Sequence, residues 1–380
     1  MFASPGQAQV TCGGITVDDE CLRFPPGNYQ CIDGNFNASA LFGAQLLTPA
    51  AALTTPQFLV VKGKVTFDNS YTFAAGSEIV FVNNSSGFKV NGNQKLTIKS
   101  SYLHGCLLLW AGIEVLNAGE IIADNSTFED ARAAIILRNQ SVITATGNIF
   151  KKNVCGILGM SANPAVNISI LLGGKAGISG NTFEGDDALL EPIVPNTIDA
   201  GINSDASSSI THYPYIGIWI ERVTALTIGY YDPVRPIPAN VFRDYGQTQE
   251  AGVITQGVRS IQSSVTVQNS RFINFGLYDP ANTSNNIASD GIFARNDGTT
   301  ITSTVVIGTN QPYPYTGNQT FSNCWQDIRT IGTDLNVTDV ISYRAGNSIT
   351  VLMANSWQNA IVCEITDNRI DYYRSIGIEV

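Results

Sequence analysis

Four carboxylates crowd one short stretch, Glu184, Asp186, Asp187 and Glu191, and Asp199 follows a few residues later in Asn196-Thr197-Ile198-Asp199. Two carboxylates can hydrolyse a glycosidic bond with inversion when one holds a proton and the pair stands ~6.5–9.5 Å apart. Spacing along a loop does not fix that distance, and the same run of acids also reads as a solvated loop or a Ca²⁺ site. If the chain is an enzyme, Asp186, Asp187 and Asp199 are its candidate catalytic residues. A lyase would instead need a cationic base. Arg222, Arg235 and Arg243 lie near long loops, but no two of them form a recognisable pair. His104, in Leu103-His104-Gly105-Cys106, reads as a turn residue. There is no Gly-x-Ser-x-Gly elbow for a serine nucleophile and no Cys-x-x-Cys pair for zinc, so no cofactor and no metal site are expected.

A second chemistry is recognition without catalysis. Tyrosine and proline gather in His212-Tyr213-Pro214-Tyr215, Tyr230-Tyr231-Asp232-Pro233, Leu277-Tyr278-Asp279-Pro280 and Pro312-Tyr313-Pro314-Tyr315. Proline stiffens a loop, and a held tyrosine offers a flat apolar face with a polar tip, which suits a sugar ring or a protein partner. Tyr213, Tyr215, Tyr231, Tyr278, Tyr313 and Tyr315 are therefore the candidate ligand-binding residues. The same rings could equally fold back and cover the wall that carries the loops.

The elements that must position these residues repeat. Gly112-Ile113, Ala134-Ile135 and Gly156-Ile157 recur every 22 residues, and the same interval links Asn117 to Asn139, Ile121 to Ile143, Ala123 to Ala145 and Phe128 to Phe150. Such periodicity marks a repeat architecture. Each unit alternates apolar and polar residues over four to six positions, broken by Gly, Asn and Asp, which reads as short strands and turns. A unit of this length is too short for a strand–helix–strand module but suits a coil of three short strands. Coils stacked ~4.8 Å apart would lay equivalent side chains over one another, with Phe128 above Phe150 inside and Asn117 above Asn139 at a bend. Cys106 falls on the phenylalanine ladder at the same interval. After Gly156 the spacing lengthens, so loops are inserted at about 184–215, 229–250, 275–290 and 308–318. Asn-x-Phe recurs at Phe183 and Phe242, with variants at Asn269-Ser270-Arg271-Phe272, Gln319-Thr320-Phe321 and Asn355-Ser356-Trp357. The small-Ile step continues at Gly217, Gly252, Gly291, Ala360 and Gly377.

Composition agrees. The chain has 380 residues, of which 44% are hydrophobic and 14% charged, with 35 Gly and 33 Asn. Many turns per unit length and no helical periodicity give an all-β chain. A net charge of −10 and a pI near 4.7 exclude nucleic acid as a partner and weigh against an unassisted polyuronate ligand. No apolar run spans a membrane. Seven cysteines are an odd number. Cys12, Cys21 and Cys31 can supply one disulfide in an N-terminal cap, their pairing left open, in an oxidising compartment. Cys106, Cys155, Cys324 and Cys363 read as small buried residues. Residues 1–57 read as an irregular cap, their first ten residues as the tail of a signal sequence, and 58–380 as the coils. Ser375-Ile376-Gly377-Ile378 looks like the start of a further coil, so the chain reads as part of a longer protein.

The pattern Asn-x-Phe-x-x-Asn-x-x-Gly-Ile at Asn148, Phe150, Asn153, Gly156 and Ile157 resembles the right-handed parallel β-helix repeats of the pectin-lyase-like superfamily. Leu109–Val115 followed by Asn125–Ala131 is similar to large bacterial surface proteins, often exported by type IX secretion. The resemblance covers about residues 60–380 and implies a single-stranded right-handed parallel β-helix (a β-solenoid with three short strands per coil). It also implies a fold that hosts polysaccharide lyases and hydrolases. A polygalacturonase-like hydrolase would need three clustered Asp, two of them adjacent, with Gly-His-Gly. Asp186-Asp187 and Asp199 offer pieces of that set in reversed order, and neither His104 nor His212 is flanked by Gly on both sides. The expectation is thus a secreted or cell-surface structural or adhesion module binding polysaccharide or a surface protein. A polysaccharide-active enzyme is the alternative and a passive rod the third.

Overall fold

The structure is a computed structural model that describes residues 9–18, 20–42, 55–160, 171–172, 177–193, 210–224, 226–230, 238–247, 253–276, 289–296, 303–308, 320–352, 362–366, 368–371 and 376–379. One full coil shows the plan. Thr127–Glu129 belongs to a first sheet, Ala133–Leu137 to a second and Val142–Thr146 to a third, and Ile149–Lys151 then returns to the first. Among the described residues these sheets hold 12, 12 and 11 strands, each paired in parallel with the coils before and after it. The protein is a parallel β-helix.

Alternation decides which side chains face inward. Phe128, Phe150, Phe183, Phe242, Phe272 and Phe321 pair in register and stack with centroids 5.1, 4.7, 4.6, 4.8 and 4.9 Å apart. Ile113, Ile135, Ile157, Ile218, Val258, Ile292, Ile328 and Ile349 form the matching row of the second sheet. The small-Ile step therefore falls at Gly257-Val258, not at Gly252-Val253, and Val253 packs on the outside instead. Ala360 and Trp357 lie outside the described residues. Leu103, not Cys106, sits beneath Phe128, because the step from Tyr102 to Thr127 is three residues longer than that from Thr127 to Ile149.

The bends show why asparagine is frequent. Asn117, Asn125 and Asp130 hold positive φ of 41°, 49° and 60°, a region Asn and Asp enter more readily than most residues. A buried ladder joins Asn148, Asn181 and Asn240. The Asn148 Nδ2 donates to Asn181 Oδ1 at 2.9 Å, and the Asn181 Nδ2 to Asn240 Oδ1 at 3.1 Å. Each amide also donates to a carbonyl of the preceding coil, Ala123, Ala145 and Ile178 in turn. Backbone groups left unpaired where strands stop are thereby satisfied.

Stacking begins upstream of the alternating segment, since Gln30–Asp33 pairs with Phe58–Lys62. The short helix Ala38–Phe42 follows, with Ala38 and Leu41 against the core. Residues 10–18 and 20–29 lie elsewhere. They form a strap along the outer face of the first sheet, where Val10, Cys12, Val17 and Leu22 pack on Val60, Val80 and Val82. Two disulfides fix it, Cys12–Cys31 and Cys21–Cys106. Cys106 is therefore a bridge residue rather than an isolated buried thiol. Cys155 and Cys324 are free and buried, as expected, and Cys363 is free and half-buried.

Candidate functional site

The structure describes two of the three candidate catalytic acids. Asp186 and Asp187 are exposed on the arm that leaves Thr182–Glu184. Glu184 is paired with Arg243, and Glu191 accepts the Leu109 amide at 3.3 Å. Asp199 and Arg235 lie outside the described residues. Arg222 is bound to Gln262 at 3.1 Å and to Glu221 at 3.3 Å. Of the tyrosines, Tyr213 is half-buried, and Tyr215, 6% exposed, packs with Leu109, Val154, Ile216 and Trp219. Tyr231, Tyr278, Tyr313 and Tyr315 lie outside the described residues.

His104 is not in a turn. It lies buried in the strand Tyr102–Gly105, under the strap, with its Nε2 3.0 Å from Glu78 Oε1. The Tyr29 hydroxyl donates to Glu78 Oε2 at 2.6 Å, so this pair is enclosed. One coil on, the Tyr102 hydroxyl donates to Glu129, and Lys151 and Lys152 each reach Glu129 at 3.0 Å. Burial would raise the Glu129 carboxyl, but Tyr102 and the two lysines outweigh it and hold the group below its usual range. Asp130 is pushed up to about 7 by burial and by the Glu129 charge.

The densest arrangement of recognition chemistry is on the outer face of the second sheet. Leu158, Trp219, Arg259, Phe293, Arg329 and Thr350 stand in register on successive coils. From Trp219 to Arg329 the file alternates ring and guanidinium. The Arg259 Cζ lies 5.0 Å from the Trp219 ring and 5.4 Å from that of Phe293, and the Arg329 Cζ lies 4.7 Å from Phe293. Contacts of this kind are worth about 0.5–2 kcal/mol, more where water is excluded. Beside it run Gln256, Asp290 and Gln326, also in register. Gln256 Nε2 and Arg329 both donate to Asp290 Oδ2, at 2.9 and 2.6 Å, and Arg259 donates to Gln256 Oε1 at 3.1 Å. Burial raises the Asp290 carboxyl, an effect only partly offset by the Arg329 charge. Two donors here, Trp219 Nε1 and Arg329 Nε, are buried without a hydrogen-bond partner. None of this file was singled out by sequence. The available signal was the small-Ile step itself, because the position after each Ile faces outward.

Among the described residues no group of three or more His, Cys, Asp or Glu could hold a metal ion, and no helix is long and apolar enough to cross a membrane.

Fold and face together define a right-handed parallel β-helix with a ring-and-guanidinium file on one sheet. The chain is similar to the family described as right handed beta helix region over residues 58–213. No curated protein matches it.

Proposed function

We propose that the protein is an extracellular structural and adhesion module that holds a carbohydrate chain against the outer face of its second sheet without cleaving it. The observation that carries this reading is the file Trp219, Arg259, Phe293 and Arg329 with Asp290, Gln256 and Gln326 beside it. Flat rings suit the apolar faces of sugars, and fixed carboxylate, amide and guanidinium groups suit their hydroxyls. The unused Nε donor of Arg329, on a side chain 27% exposed, is a group a ligand oxygen would satisfy. Tyr213 is retained as a contact at the edge of the face, with Tyr231, Tyr278, Tyr313 and Tyr315 as loop contacts. Two disulfides in and around the strap support an oxidising compartment, in keeping with the resemblance to exported bacterial surface proteins.

Cleavage of the polysaccharide is the second reading, favoured by Asp290, a buried carboxyl raised above its usual range beside Arg329. A glycan array with a parallel assay for unsaturated products and reducing ends separates the readings. Retention that is lost in Arg329→Met and weakened in Tyr213→Ala, at unchanged melting temperature and without product, is the expected outcome. Turnover abolished by Asp290→Asn overturns the non-catalytic part. Absence of both retention and turnover leaves a rod on the order of 50 Å long that acts as a spacer.

A further inference from the structure

Asp130 is the described carboxylate whose surroundings are hardest to explain as structure alone. It sits at the bend after Thr127–Glu129 with φ of 60°, is 6% exposed, and its Oδ1 is buried with no hydrogen-bond partner. Charged and titratable groups approach it from several elements. Glu129 comes from its own strand, Tyr102 and His104 from the coil below, Lys151 and Lys152 from the coil above, and Asp187 and Glu191 from the arm that leaves the seventh coil. Two consecutive amides link that arm to the bend. The Leu109 N–H donates to Glu191 Oε1 at 3.3 Å, and the Trp110 N–H donates to the Asp130 carbonyl at 3.0 Å. The described legs of the arm are bound to each other, Leu189 to His212 at 2.7 Å and Ile193 to Thr211 at 3.0 and 2.9 Å. Ile193 and Tyr215 pack with Leu109, Leu158 and Trp219. The arm therefore lies over the Trp219 end of the file.

We propose that Asp130 is a proton-operated latch for this arm: neutral Asp130 lets residues 187–193 and 210–214 lie on the bend, and its ionisation loosens them. Placing a second negative charge beside Glu129 and facing Asp187, in a site that gives one of its oxygens no donor, costs more with the arm down than with the arm lifted. The carboxyl is held up to about 7 when covered and would return towards its ordinary value, 3.8, when uncovered. The arm is thus tightest in acid, is loosened progressively as pH rises from about 4 to 7, and changes no further above that. Whether the movement gates a carbohydrate depends on the reading above. The latch itself does not.

Amide hydrogen exchange on the whole chain tests it. After correction for intrinsic rates, exchange in 187–193 and 210–214 should accelerate by up to about tenfold per pH unit between pH 5 and 7 and then level off. Residues 120–124 on the third sheet should show no such rise, and Asp130→Asn should flatten the response of the arm. A flat wild-type profile, or a rise shared equally by the third sheet, overturns the latch. So does a rise that survives in Asp130→Asn. If that variant does not fold, the exposed Asp187→Asn decides: a shallower rise supports the latch and an unchanged one overturns it. Glycan retention is not read, so failure here is distinct from failure of the binding reading.

Discussion

Asp327 offers the sharpest test of how this core is built. It is 1% exposed, inside the helix, where the Ser342 hydroxyl and the Ser348 hydroxyl, the latter at 2.9 Å, both donate to its Oδ2. Its Oδ1 has no partner. Burial pushes the carboxyl from 3.8 up to about 7, an effect that the two serines and the Cys324 thiol reduce but do not cancel. Folding therefore favours the protonated form. The stabilisation is complete below the unfolded-state value near 4 and is lost as pH rises through about 7. Three units at about 1.4 kcal/mol each give about 4 kcal/mol as an upper figure. Asp327→Asn keeps the shape and cannot ionise. Urea unfolding of both proteins from pH 4 to 8.5 gives the difference in stability, in which the parallel contribution of Asp130 cancels. That difference should move by up to about 4 kcal/mol in favour of Asn, with the change confined to pH 4–7. The unpaired amide hydrogens of Asn add an offset that does not vary with pH, so the slope is what counts. A constant m value verifies that one transition is being compared. Parallel curves, differing by less than about 0.5 kcal/mol in slope across that window, would refute the claim that this carboxyl is buried without adequate donors.

Three further outcomes are expected. Phe183→Ala removes a ring held 4.7 and 4.6 Å from its neighbours and should cost about 3–5 kcal/mol in urea unfolding. Replacing both Cys21 and Cys106 by Ser opens a loop closed across 85 residues, which in the chain-entropy account costs at most about 4–5 kcal/mol. A calorimetric melt reads that loss, and trypsin cleavage after Arg23, now stacked on Tyr102, should become faster. Asp327→Gly and Ser342→Phe should each destabilise, the first by a void and the second by overpacking, whereas the double variant should recover about 0.5–3 kcal/mol relative to their sum.

The fold was legible because one coil repeats without insertion. The 22-residue steps from Ile113 to Ile157 and from Phe128 to Phe150 are the pairings observed. Legibility failed where chain length between strands varied. Three extra residues after Gly105 moved Cys106 off the ladder, to which Leu103 belongs, and freed the thiol to reach Cys21. Gly252-Val253 mimicked the small-Ile step so closely that only the register, with Val258 beside Ile218, distinguishes it from Gly257-Val258. The strap was unreadable for another reason. Its contacts with Val60 and Val80 join residues far apart in sequence, and no period announces them.

The candidate face was hidden because its members look unrelated along the chain. Trp219, Arg259, Phe293 and Arg329 share neither a motif nor a constant spacing, and only the pairing of successive coils turns them into a file. The core contains a pairing that the sequence does state. Gly156, Gly217, Gly257 and Gly291 each leave space for the phenylalanine of the next coil, since a Cβ at any of them would stand 2.7–2.8 Å from the ring of Phe183, Phe242, Phe272 or Phe321. One coil later the small residue becomes Asp327, opposite Gly291, and the ring becomes Ser342, opposite Phe321. The two changes compensate in volume and bond to each other. Reading substitutions in pairs, small residue against ring of the following coil, therefore fixes register through inserted loops where spacing alone cannot. It also marks Asp327 as a core residue despite its charge.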